Sequence, residues 1–300
     1  MTRWLTVKEA RDYLELPTAT YLDNYVAAGE LTETRRGDSV VFSQEELDRW
    51  KSERNLFALD TRDYKKCLHF AVGSLYKYCS VAGCATSNSS ELAKVVDNFM
   101  LQKLGETAFQ KFMDKNFKIF INFEFKFHEE VVSQEVTEIA LPGKWLRVYN
   151  PPEKLRLTVK TVEMGNSRLV IPESEVEGRR HHQLIDVYVM VRVGLPPDHL
   201  FRVLGESSRS RLGIRREETA LPRFEYLEAD SGITIEEEEV LIPQLESIQA
   251  EIVGYTWLSE LLESGVQPGV PERGVQPGYY LPTGNLRRGD LEWRKLIELL

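Results

Sequence analysis

Thr158 and Lys160 stand two residues apart in LRLTVKTV, residues 155–162. Residues two apart on a strand share a face, so a hydroxyl and an ammonium are expected side by side on a largely apolar segment. Carboxylates occur in several segments before and after this one. Glu106 lies in KLGETAFQKFM, and Glu138 in EVTEIA, twenty residues before Thr158. Glu173, Glu175 and Glu177 follow Pro172. A lysine among carboxylates suits phosphodiester hydrolysis. That reaction needs an activated water and neutralised charge on the scissile phosphate. One or two Mg²⁺ ions held by carboxylates supply both, with a lysine near the metal-bound water.

Other residues compete for these roles. Glu124 and Lys126 in FEFK are also two apart, on an alternating segment. Glu153 in PPEK lies five residues before Thr158 and needs a tight hairpin, so it ranks below Glu138. His181 and His182 are adjacent, a poor spacing for shared metal ligation. With Arg179 and Arg180 they read as a loop touching phosphate or as an exposed turn. SSRSRLGIRR, residues 207–216, is the most basic stretch and a second DNA-contact candidate.

The elements that must position these groups follow from periodicity. WLTVKEARDYLEL has helical spacing, with Thr6 and Glu9 set for a capping box. Pro17-Thr18 breaks that helix, and Thr18 is placed to cap ATYLDNYVAAG, which stops at Gly29. LTETRR and SVVF, joined by Gly37-Asp38, predict a hairpin. Ser43 with Glu46 predicts the cap of QEELDRWKSE. Residues 55 to about 118 read as helical throughout, in two helices separated by GCATSNSS. From Lys118 the period changes. KIFINFEFKFHEEV, LRLTVKTV, SRLVI and LIDVYVMVRVGL predict strands, the last with Val187, Val189, Val191 and Val193 on one side. Residues 209–239 read as a charged loop, the two GVQPG copies as turns or an extended arm, and GDLEWRKLIELL as a closing helix.

Helix, turn, helix, two-stranded wing and helix over the first 54 residues resemble the excisionase-type helix-turn-helix domain, a relative of the MerR winged-helix group. The resemblance implies DNA reading by the second helix, through Thr18, Thr20, Tyr21 and Asn24. Arg35 and Arg36 in the wing would lie on the backbone. The segment departs from a typical reader in charge, with eight Lys/Arg against eleven Asp/Glu and with Asp23 on its second helix.

Residues 98–204 resemble the PD-(D/E)xK nuclease superfamily, the fold of many type II restriction endonucleases. KLGETAFQKFM looks like its first helix, EVTEIA like the strand carrying the first acid, LRLTVKTV like the catalytic strand, and LIDVYVMVRVGL like a later core strand. The resemblance implies that Glu106, Glu138 and Glu173 hold Mg²⁺ or position its waters, and that Lys160 orients the attacking water. Thr158 occupies the place of the usual strand acid. Restriction enzymes that recognise CCGG-cored sites have a small hydroxyl residue there and take the acid from a glutamate downstream. Glu173 is favoured for that role, with Glu175 and Glu177 as alternatives.

The whole chain is compatible with this reading. Its 300 residues, 42% hydrophobic and 28% charged, have globular composition. A net charge of −9 argues against tight non-specific nucleic-acid binding but leaves room for a basic cleft in a metal-holding acidic enzyme. No Walker A, GxGxxG or GxSxG motif occurs, which disfavours nucleotide-driven, dehydrogenase and esterase chemistry. Three cysteines without zinc-like pairing predict reduced thiols and a cytoplasmic protein, and no membrane span is expected. The expected fold is α/β (α+β), a restriction-endonuclease-like mixed-sheet core at 55–300 behind a winged helix-turn-helix at 1–54. The expected function is a Mg²⁺-dependent, sequence-specific endonuclease acting on double-stranded DNA as a homodimer. The alternative is a DNA-binding regulatory protein with an inactive nuclease-like core. A third reading is an interaction module whose acidic surface meets a protein partner.

Overall fold

The computed structural model describes residues 3–82, 89–123, 138–140, 155–179, 185–202, 247–263 and 278–299. Several readings fall outside them: Glu124, Lys126, Glu153, Arg180, His181, His182, the 207–216 stretch, the 209–239 loop and nearly all of the GVQPG copies.

The helices and the two-stranded wing of the N-terminal unit form where the sequence predicts them, with an added strand that it does not predict. Strand β1 (Trp4–Thr6) leads into α1 (Val7–Tyr13), which opens on a complete capping box. The Thr6 amide donates to Glu9 Oε2 at 2.8 Å, and the Glu9 amide donates to Thr6 Oγ1 at 3.3 Å. Helix α2 (Ala19–Ala27) ends before Gly29, whose φ of +74° is a left-handed conformation that favours glycine. Strands β2 (Thr34–Arg36) and β3 (Ser39–Ser43) pair antiparallel around Gly37, also left-handed, and β1 adds to the far side of β3. Helix α3 (Gln44–Glu53) closes the unit over Leu5, Leu22, Tyr25, Phe42, Leu47 and Trp50. Two caps differ from expectation. Thr18 and Ser43 hold N-cap positions without a side-chain cap bond. Glu46 instead accepts the Thr32 amide at 2.8 Å, tying α3 to the segment before the wing.

The core is built on a four-stranded sheet ordered β4-β10-β9-β7. Strand β4 (Asn55–Leu59) corrects the helical reading of residues 55 onward: five residues after α3 form an edge strand. Helices α4 (Thr61–Ala82) and α5 (Ser89–Phe117) follow, as predicted. Then come β5 (Phe120–Asn122) and β6 (Glu138–Ala140), which pair antiparallel with each other. Strand β7 (Leu155–Glu163) turns through Gly165 into β8 (Arg168–Pro172), and α6 (Glu173–Arg179) starts at once. Strand β9 (Ile185–Val193) then lies parallel to β7. Strand β10 (Ile248–Trp257) is antiparallel to both β9 and β4. Helix α7 (Leu258–Glu263), strand β11 (Gly278–Pro282, paired with β8) and α8 (Asp290–Ile297) complete the described chain.

Side-chain alternation on the sheet separates two cores. One face carries Leu157, Val159 and the four valines of β9 into a cluster with Met100, Leu104, Ala108 and Phe109 of α5, and with Trp293 of α8. The other face carries Tyr188, Met190 and Val253 into a cluster with Leu169 and Ile171 of β8, Val176 of α6 and Leu281 of β11. The molecule is therefore a mixed α+β fold with an N-terminal helix-turn-helix unit.

Candidate functional site

Thr161 fixes the orientation of β7. Its hydroxyl lies 3.4 Å from the Gln102 carbonyl of α5, and it packs so closely on Gly105 that a methyl there would meet its Oγ1 at 1.9 Å. Thr161 thus faces α5, and strand alternation turns Thr158 and Lys160 to the opposite face. Thr158 is buried there beside β9, opposite Tyr188.

Lys160 meets a carboxylate on that face. Its Nζ donates to Glu175 Oε2 at 2.5 Å, and the ammonium lies 6.0 Å from the centre of the Tyr188 ring. Both partners of the ion pair keep some exposure, 24% for Lys160 and 18% for Glu175. The local geometry follows from Pro172: β8 ends there and α6 begins at Glu173, folding its first turn back towards β7. Glu173 is partly exposed at the helix start and Glu177 is exposed, while Glu175 carries the contact.

The other sequence-predicted residues are distributed differently. Glu106 is buried on α5, where Lys103 Nζ donates to it at 2.7 Å and Gln102 Nε2 at 3.3 Å. Burial raises its carboxyl above the usual range, with Lys103 opposing. Lys103 also sits 4.7 Å from the Phe70 ring of α4. Glu106 is thus committed to its own helix, on a helix that packs against the face of β7 opposite Lys160. Glu138 opens β6 opposite Asn122, and its side chain lies outside the described residues, as does that of Arg179. Among the described residues no group of three or more His, Cys, Asp or Glu could hold a metal ion. Asp186, on the same strand face as Tyr188, is paired with Arg156, whose Nε donates to Oδ1 at 2.5 Å. Cys67 is a free, buried thiol whose pKa burial pushes up to about 12.

The candidate DNA contacts divide between surface and interior. Thr18, Thr20, Arg35 and Arg36 are exposed, and Arg36 lies over the Trp4 ring at 4.1 Å. Tyr21 and Asn24 instead face the core. Asn24 Nδ2 donates to the Gly165 carbonyl at 3.1 Å, and a methyl on Gly165 would meet the Tyr21 ring at 2.8 Å. Tyr25 donates to the Met164 carbonyl at 3.4 Å, and the Gly284 amide donates to Ala28 O at 2.9 Å. Residues 21, 24, 25 and 28 form one helical stripe, and that stripe is the joint between the two units.

A buried ionic network missed in the sequence holds the same joint. Arg192 of β9 is fully buried. It pairs with Glu30, just after α2, and with Glu251 of β10, the latter at 3.2 Å. Arg54, just after α3, grips both Glu251 oxygens at 2.8 and 2.7 Å. Burial acts to raise the Glu251 carboxyl, but hydrogen bonding and charge from Arg54, with the charge of Arg192, outweigh it and hold the group below its usual range. The signal was faint: an arginine inside the valine-rich run VYVMVRV, and a glutamate inside AEIVGYTW.

Comparison with known proteins bears on the first part of the chain. Residues 4–55 match the family model described as a helix-turn-helix domain. That segment is a helix-turn-helix domain. No curated protein and no solved structure matches the chain. Among the described residues no helix is long and apolar enough to cross a membrane.

Proposed function

We propose that the protein is a DNA endonuclease in which the helix-turn-helix domain engages duplex DNA and the β7–α6 face of the core hydrolyses a phosphodiester bond. The observation that carries this reading is the pairing of Lys160 with Glu175 beside Thr158 (2.5 Å). Among the described elements the order from α5 to β9, helix, four strands, helix, strand, supports it, because it brings a downstream glutamate to a strand that has a hydroxyl at Thr158 in place of an acid.

The donor chemistry suits Mg²⁺: carboxylate oxygens are the hard ligands that this ion takes. Glu175 would hold it; Glu138, the first-strand acid that the resemblance implies, has its side chain outside the described residues. Bound there, the ion would supply charge neutralisation at the phosphate and a water of lowered pKa. Lys160, whose ammonium reaches Glu175, would orient a water beside that carboxylate. Thr158, buried on the same strand face as the lysine, would contribute a hydroxyl in place of a second charge. Glu106 has no part in this arrangement, being held by Lys103. Cutting both strands of a palindromic site calls for two such centres, hence a homodimer.

The test is incubation with phage DNA and Mg²⁺. Discrete fragments from the unaltered protein, absent for Lys160→Ala, support the proposal; intact DNA over many substrates refutes it. A second reading is favoured by the lack of a three-acid cluster among the described residues: a DNA-binding regulator with an inactive core. It predicts a sequence-specific gel shift and no cutting with Mg²⁺ or Mn²⁺.

A further inference from the structure

We infer that the helix-turn-helix domain meets DNA through its wing, while α2 serves as an internal dock that fastens the domain to the core. This rests on the reading that the domain engages DNA, and it assigns the surface that does so.

Three observations converge. The stripe of α2 that includes Tyr21, Asn24 and Ala28 is occupied: Asn24 holds the Gly165 carbonyl, Tyr21 covers Gly165, and Ala28 receives the Gly284 amide. The contacts leave no space for a base pair. A methyl on Gly284 would meet Ala28 O at 2.2 Å, and one on Gly165 would strike the Tyr21 ring. The joint is also locked electrostatically. Glu30, Arg192, Glu251 and Arg54 form a network in which the Arg192 side chain is fully buried and those of Glu30 and Glu251 are 2% and 4% exposed. In the closed joint each of those buried charges has an opposite partner. Finally, the stripe of α2 that remains free holds Thr20, Asp23 and Ala27, and ATYLDNYVA contains no lysine or arginine. Its one charge repels phosphate.

The wing has the opposite character. Arg35 and Arg36 are both exposed, on adjacent positions of β2. Arg36 is braced over Trp4, which limits the freedom lost on binding. The turn Gly37-Asp38 keeps the tip slim. Two cations on a narrow hairpin suit the sugar-phosphate backbone, which dominates affinity but carries no base code.

The test is fluorescence anisotropy of the full chain with labelled duplex DNA over a range of salt concentrations, with thermal melts to confirm folding. Four proteins are compared: unaltered, R35A/R36A, T20A/D23A and N24A. The wing variant is expected to bind more weakly and to lower the slope of log affinity against log salt by roughly 2, the value for two lost phosphate contacts. T20A/D23A, which removes only exposed atoms, and N24A are expected to stay within about two-fold of the unaltered affinity, N24A with a lowered melting temperature. A loss of about ten-fold or more in a folded α2 variant, with the wing variant unchanged in affinity and slope, overturns the inference while leaving DNA engagement intact. Absence of binding by the unaltered chain overturns both.

Discussion

Lys160 on β7 and Glu175 on α6 meet inside a crossover between two parallel strands, with Nζ 2.5 Å from Oε2. Parallel strands need such a crossover, and here it carries the carboxylate that the strand lacks at Thr158. The pair is partly solvated, so its worth as a salt bridge is small. Its interest is positional: it holds a lysine and an acid together on a face that α5 does not cover.

The joint between the units should be intolerant of losing one partner. Arg192→Ala leaves Glu30 and Glu251 buried without their shared cation. The expected cost is about 3–5 kcal/mol, measured by urea unfolding. A change below about 1 kcal/mol would mean that the network is hydrated and the joint loose.

Gly105 should resist a substitution that helices normally welcome. Glycine to alanine inside a helix gains about 1 kcal/mol by propensity. Here the new methyl meets Thr161 at Oγ1, Cγ2 and Cβ, all under 3 Å. Overpacking of this kind costs about 1–3 kcal/mol, so Gly105→Ala is expected to destabilise. Thr161→Gly in the same chain should restore part of the loss. A stabilised Gly105→Ala would contradict the close packing of α5 on β7.

His199 links three segments and sets a pH dependence. Its Nε2 lies 3.0 Å from Asp97 Oδ1, and its Nδ1 lies 2.7 Å from the Tyr64 hydroxyl. A carboxylate only accepts, so Nε2 carries the proton and Nδ1 accepts from Tyr64. Burial lowers the pKa of His199 below 6.5, with Asp97 opposing. The unfolded chain therefore takes up the proton first as pH falls. Stability from this group is complete above about pH 6.5 and is lost as pH drops through that value towards the folded pKa, by at most about 1.4 kcal/mol per pH unit. Urea unfolding at pH 7 and 5.5 should show a smaller decline for His199→Gln than for the unaltered protein; an equal decline would remove His199 from the account.

Particular residues explain what the sequence made legible. Thr6 and Glu9 announced α1 because a capping box is local. The valines of β9 announced a strand because one face is buried by α5 and α8. Strand β4 was hidden because NLFAL is short and lies between two helices. Strand β10 was hidden because a bulge between Ile252 and Gly254 breaks its alternation. The site was half legible. Lys160 and the run of glutamates after Pro172 could be named, but the choice among them depends on where α6 starts, and a helix turns Glu173 and Glu175 in different directions. Glu106 was recognisable as a helical acid, yet its partner three residues earlier, Lys103, already claimed it. Asn24 and Tyr21 looked like readers because helical spacing does not say what lies opposite.

The most direct measurement is the initial rate of DNA cleavage with Mg²⁺ for Glu175→Gln and Glu173→Gln beside the unaltered protein. Glutamine keeps the size of each side chain and removes the charge. Glu175→Gln is expected to cut more slowly by a factor of about 10² or more, with an unchanged thermal melt, while Glu173→Gln keeps a rate within a few-fold. Equal rates for Glu175→Gln and the unaltered protein, or a loss confined to Glu173→Gln, would contradict the assignment of Glu175 to Lys160.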